Sequence, residues 1–229
     1  MREIVLDTET TGLDPKSGHR IVEIGCVELV NHVPTNRTYH QYINPERDMP
    51  DEAFRVHGLS VEFLSGHPVF SDIAEAFVAF VDGATLVIHN AEFDMGFINA
   101  ELSKLNLAKL PMESAIDTVR MARKKFPGAP ANLDALCKRF GIDNSNRELH
   151  GALLDARLLA DVYLELIGGR QTDLGLSGDK SNDGGPISDQ KSAARAPRPH
   201  EASPDELARH EAFLAKLSSP IWTSADGSS

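Results

Sequence analysis

The sequence predicts an α/β fold built on one mixed sheet. Three observations carry that expectation. Strand-like stretches at 2–8, 20–30 and 37–44 follow one another through short connections, which favours antiparallel pairing. Further strands at 85–90 and 114–118 then alternate with helical stretches, the order expected of helices layered on a sheet. A chain of 229 residues with 41% hydrophobic content can bury one good core.

Each element has a local reason. IVLDTE is an apolar run that stops at the turn-like TTGLDP. The second and third stretches are rich in Val, Ile and Tyr. Helices are expected near 51–56 and 69–82, and TLVIHN reads as a buried strand followed by a helix over 92–106. SAIDT is a shorter strand, with helices near 119–126, 132–140 and 151–167 after it. The last helix stops at Gly168-Gly169. No internal repeats occur.

Four carboxylates and a histidine carry the chemistry. Asp7 and Glu9 lie in the first strand, Asp94 in HNAEFD, and His150 and Asp155 in HGALLD. With a period of two, Val5, Asp7 and Glu9 share one strand face. Two oxygen donors so spaced can hold one hard cation. On a helical wheel Asp155 falls in line with Leu158, Leu159, Val162 and Leu166, inside the apolar stripe. A buried carboxylate is costly unless it is paired or binds a metal. Asp94 opens a helix whose face carries Phe97, Ile98 and Leu105. Ordinary alternatives stand beside these readings. Asp7 and Glu9 can end a strand and open a turn, Asp94 can be a first-turn acid favoured by the helix dipole, and His150 can be a helix-start residue. Five residues apart on a regular helix, His150 and Asp155 would not face the same way. His150 must therefore sit on the loop or first turn and reach across.

The motifs DxETTG, HNxxFD and HxxxxD, in this order, resemble the DEDD exonucleases with a histidine in the third motif. These belong to the ribonuclease H-like superfamily. The RIVEIGCVEL strand and FRVHGLS fit as well, and the resemblance covers residues 1–169. It implies a five-stranded mixed sheet with helices on both sides and a 3′→5′ exonuclease using two divalent cations, Mg²⁺ or Mn²⁺. Asp7, Glu9 and Asp155 would hold one cation, with Asp7 shared and Asp94 helping to hold the second. Paired cations about 4 Å apart can activate a water and stabilise the leaving 3′-oxygen. His150 would take the proton from that water, a task suited to a side chain with a free pKa of about 6.5. Thr8 would contact the terminal nucleotide, Val56 and His57 its base and sugar, and His89 and Asn90 a sugar or phosphate. Phe93 reads as core. The substrate would be a single-stranded or frayed 3′ DNA end. The family implies proofreading beside a replicative polymerase; the alternatives are RNA trimming, as in its ribonuclease T-like or oligoribonuclease-like members, and a mainly structural link between polymerase and clamp.

Composition narrows the class. Cys26 and Cys137 both lie in apolar segments, so no disulfide framework or zinc spacing is present. With no signal peptide or membrane span, the expected home is a reducing cytoplasm. A net charge of −11 argues against a generic nucleic-acid binder. It suits a metal-dependent nuclease, whose cations meet the phosphate, and a subunit held on its substrate by partners.

After Gly169 the composition changes. Over 177–203 the one large apolar residue is Ile187, too little to drive folding, so 170–203 is expected to be a flexible linker in a disordered tail. Gln171, Leu174 and Leu176 resemble the Gln-x-x-Leu-x-Leu/Phe peptide by which bacterial polymerase subunits dock on the sliding clamp. Residues 204–229 start with a helix signal: Ser203 as N-cap, Pro204 first, Glu206 third. Leu207, His210, Leu214 and Leu217 recur at helical spacing, and Phe213, Ile221 and Trp222 add bulk. Such a short helix either folds back on its own domain or orders on a partner. The resemblance implies the polymerase subunit, met through Leu207, Leu214, Leu217 and Trp222, and a small stabilising subunit of the core polymerase.

Overall fold

The computed structural model describes residues 1–145, 149–169 and 202–217. A five-stranded mixed sheet organises the first unit, in the order β3-β2-β1-β4-β5. β1 (Arg2–Thr10) pairs antiparallel with β2 (Ile21–Val30), and β2 with β3 (Val33–Tyr42). On its other side β1 runs parallel to β4 (Thr85–Ile88), which runs parallel to β5 (Ala115–Asp117). The short connections thus give antiparallel neighbours and the helical crossovers parallel ones, as expected.

Helices cover both faces. α3 (Phe70–Val81) and α4 (Ala91–Lys104) close one core around Leu6, Ile24, Phe77, Ile88 and Phe97. α5 (Thr118–Lys125), α6 (Leu133–Phe140) and α7 (Ala152–Leu166) close the other around Val5, Leu136, Leu159 and Val162. β1 is central, so alternate side chains feed the two cores: Ile4 and Leu6 one, Val5 the other. The short helices α1 (Asp51–His57) and α2 (Val61–Leu64) lie between β3 and α3. Ser60 accepts from the Phe63 N–H and caps α2, a four-residue turn too short to show periodicity in sequence.

Some boundaries differ from the sequence reading. β1 runs to Thr10 rather than residue 8, because β2 continues to pair with it past the first motif. β4 ends at Ile88, two residues earlier than expected, because Asn90 adopts φ +70° and turns the chain into α4. Asparagine tolerates that left-handed region better than most residues. α5 begins directly after β5, with the Asp117 side chain accepting from the N–H groups of Val119 and Arg120.

A second unit contains α8 (Pro204–Leu214). Its Ser203–Glu206 capping box forms as the sequence indicates, while the helix stops three residues before Leu217. Leu207 and Phe213 are exposed on it, Leu214 is half-buried, and Leu217 is exposed beyond its end. Gln171, Leu174, Leu176 and Trp222, and nearly all of the expected linker, lie outside the described residues. No helix among the described residues is long and apolar enough to cross a membrane.

Candidate active site

The first motif places its acids through strand alternation. Asp7 and Glu9 point to the α7 side of β1, opposite Gly25 and Glu23 of β2. Thr8 points to the other side and meets α4. Its backbone N–H (3.0 Å) and hydroxyl (2.7 Å) both donate to Oδ1 of Asp94, in the first turn of that helix. Asp94 is buried, and burial pushes its pKa up to about 7. The Thr8 hydrogen bonds pull it back, and the charge of Asp117 pushes it further up.

The third motif is delivered by α7. Gly151 is the extended N-cap, and Asp155 sits in the first turn, its N–H donating to the Gly151 carbonyl at 2.9 Å. His150 stays outside the helix, pinned by a backbone bond to the Val56 carbonyl (3.1 Å). From there its Nδ1 reaches Oδ2 of Asp155 at 3.2 Å. The histidine thus reaches across from the loop, as helical geometry requires. Its side chain is 46% exposed, which leaves it open to substrate, whereas Asp155 is buried.

Ligand atoms of Glu9, His150 and Asp155 lie within 4.8 Å of one another. Asp7, Asp94 and Thr8 line the same cleft of about 320 Å³. All five acid and histidine positions singled out in the sequence therefore converge. They do so at the carboxyl ends of β1 and β4 and the amino ends of α4 and α7, where α/β sheets commonly place their sites. The donors are mostly carboxylate oxygens, a set that fits a hard divalent cation.

The expected substrate residues separate into three places. Val56 and His57 line a neighbouring cleft of about 540 Å³, joined to the acidic one through Thr8, Glu9 and Phe93. His57 is buried and its Nδ1 accepts from the Leu59 N–H at 3.1 Å. Burial lowers its pKa, the Thr10 carbonyl offsets part of this, and nearby His150 lowers it further. It is therefore a neutral ring in the neutral pH range. His89 lines the acidic cleft and contacts the Thr118 hydroxyl at 2.9 Å. Asn90 lies in a third cleft, beyond His89.

Several lining residues carry little signal in the sequence. Phe93 packs against the core through Phe97 (5.0 Å between ring centroids), as expected, and being half-buried it also walls both of the first two clefts. Leu13 and His19, on the turn after the first motif, line the second cleft, and Asn132 at the start of α6 lines the acidic one. The usable signal was the turn itself: TTGLDP leaves the carboxyl end of the strand that carries the acids.

Comparison with known proteins agrees with this geometry. A family model described as "Exonuclease" matches residues 4–163. The DNA polymerase III subunit epsilon of Rickettsia felis is 52% identical over 223 residues, covering 95% of this chain and 97% of the relative. That of Salmonella typhimurium is 45% identical, covering 93% and 92%. Among solved structures, Exonuclease X in complex with 5′ overhanging duplex DNA matches with a TM-score of 0.57 at 25% identity, over 72% of this chain and 91% of that one. The nuclease domain of 3′hExo, a DEDDh family member bound to rAMP, shares the fold with a TM-score of 0.62 at 20% identity, over the same shares. The chain belongs to the exonuclease family, within the DNA polymerase III epsilon subunits.

Proposed function

We propose that this chain is the 3′→5′ proofreading exonuclease of a replicative DNA polymerase, acting on a single-stranded or frayed 3′ DNA end. The observation that carries the reading is the convergence of Glu9, His150 and Asp155 within 4.8 Å, with Asp7 and Asp94 in the same cleft. The likeness to epsilon subunits extends over 95% of the chain, into the tail, and so favours this reading over RNA trimming or a structural link.

Asp7, Glu9 and Asp155 would hold one divalent cation, and Asp94 with Asp7 would help to hold a second. Mg²⁺ and Mn²⁺ both suit oxygen donors. Such cations would supply the positive charge that meets the phosphate and would lower the pKa of an attacking water towards neutrality. His150 accepts the water's proton on the face left open to solvent, while Asp155 orients its ring through Nδ1. Val56, His57 and Phe93 wall the cleft that takes the terminal nucleoside. The water oxygen bonds to the terminal phosphorus as the P–O bond to the 3′-oxygen breaks in line, the 3′-oxygen takes up a proton, and a deoxynucleoside monophosphate is released. Hard cations prefer oxygen, so His150 serves as base rather than ligand.

The chain works within DNA polymerase III in the cytoplasm, bound to the polymerase subunit through α8 and to the sliding clamp through Gln171, Leu174 and Leu176. A small stabilising subunit completes the core. The test is stepwise shortening, from its mismatched 3′ end, of a 5′-labelled oligonucleotide. Mg²⁺ or Mn²⁺ should support it and a chelator abolish it. Asp7→Ala, Glu9→Ala and Asp155→Ala should each remove it while the protein stays folded; full activity in Asp155→Ala would overturn the metal assignment.

A further inference from the structure

Three clefts lie in series along the carboxyl end of the sheet. The mainly apolar cleft at Val56 and His57 joins the acidic cleft through Thr8, Glu9 and Phe93. The acidic cleft joins a third, of about 620 Å³, through His89 and Asn132. A strand whose last nucleoside fills the first cleft, and whose scissile phosphate lies at the acids, has to continue away from the first cleft.

The third cleft has the right chemistry for that continuation. Arg120 and Arg123 of α5 line it, three residues apart and therefore on one helix face. α5 reads TVRMARKK, four cations and no acid in a chain of net charge −11. Lys125 is committed elsewhere, donating to the carbonyls of Glu165 and Leu166 at 2.9 Å each. Arg123 forms no ion pair among the described residues, and Arg120 is only loosely held, 3.6 Å from Asp117 and 78% exposed. Asp117 is itself occupied with capping α5, at 2.8 Å from the Val119 nitrogen. Glu92 is the other acid on the cleft wall. Two available guanidinium groups beside an acidic site are placed to meet phosphates, the groups for which arginine geometry is best suited. A cationic groove that tracks the backbone is also how single strands are held without regard to sequence.

We propose that this cleft carries the DNA strand on the 5′ side of the scissile bond, with Arg120 and Arg123 on its phosphates. This rests on the exonuclease reading and adds the path of the substrate.

The test compares two substrates on the full-length chain. One is a single-stranded DNA decamer. The other is the 4-nitrophenyl ester of thymidine 5′-monophosphate, which has a nucleoside and a phosphodiester but nothing beyond to reach α5. In the Arg120→Gln/Arg123→Gln double variant the ratio of kcat/KM for decamer over ester should fall about tenfold. The slope of log KM against log salt should drop by about 1.4, two phosphate contacts at about 0.7 each. Glu92→Gln, which removes a repelling charge from the same wall, should raise the ratio. A ratio within threefold of the unsubstituted protein, with the same salt slope, overturns the proposed path. Failure of the unsubstituted chain to turn over either substrate would instead overturn the exonuclease reading.

Discussion

At the scale of residues, burial of an acid was a weaker guide than convergence. Glu3, Glu23, Glu28 and Glu101 are as buried as Asp94 and Asp155, yet each is paired with a cationic or imidazole side chain away from the acidic cleft. Glu101 takes both Nε and Nη2 of Arg20, and Glu3 takes the Tyr163 hydroxyl at 2.6 Å with His32 beside it. These groups tie strands to helices and strands to one another. Asp94 differs, since its bonds come from neutral Thr8 and its pKa is raised to about 7. A carboxyl with a folded pKa above its unfolded value binds more protons when folded. Its contribution is therefore fully present below the unfolded value of about 3.8 and is lost as pH rises through about 7. Asp94→Asn keeps the acceptor for Thr8 and removes this loss. The metal-free variant should melt above the unsubstituted protein at pH 8, and the gap should shrink towards pH 4; a constant gap in calorimetric melts would refute the titration of Asp94. Metal binding in the unsubstituted protein should release a proton below pH 7, measurable by calorimetry in buffers of different ionisation enthalpy. His150→Ala should lower kcat by about 10²–10⁴ through loss of general-base catalysis, with little change in metal affinity. A large loss of metal binding would show that His150 is a ligand.

At the scale of elements, the close approach of α7 to the sheet decides the site. A Cβ on Gly25 would lie 2.2 Å from the Ala152 carbonyl carbon and the Leu153 nitrogen, backbone atoms that cannot move alone. Gly25 stands opposite Asp7 in the ladder, so the missing side chain is what lets the first turn of α7 descend onto the acids. Gly25→Ala should lift that turn and with it Asp155 and His150. The expected cost is about 1–3 kcal/mol in stability, as for other overpacked positions, together with a large fall in kcat. Denaturant unfolding and mononucleotide release measure the two effects, and unchanged activity would mean that α7 is not held at Gly25.

At the scale of the whole molecule, the first unit carries its own sheet, two cores and all five converging side chains. A version ending at residue 169 should fold and cleave single strands at close to the full-length rate, and it should fail to co-purify with the polymerase subunit. Leu207 on α8 and Leu217 just beyond it are exposed and form part of the proposed contact. Replacing Leu214, Leu217 and Trp222 by polar residues should abolish co-purification and leave single-strand cleavage intact. Retained binding after removal of 177–229 would place the interface on the first unit. A peptide spanning 169–178 should bind the clamp in a calorimetric titration, and Gln171→Ala with Leu174→Ala should remove that binding.

The sequence by itself determined the sheet, the strand that carries Asp7 and Glu9, the stripe that buries Asp155, and the need for His150 to stand outside α7. These depend on periods of two and 3.6 and on caps, which are local properties of the chain. Only the tertiary structure decided that Asp94 is held by Thr8 across 86 residues, that Phe93 faces two clefts, and that Gly25 makes room for α7. Only it separated the glutamates paired elsewhere in the fold from the acids that line the cleft, and brought Arg120 and Arg123 beside the site. Those relations depend on which faces meet when helices pack on a sheet, and no local period records them.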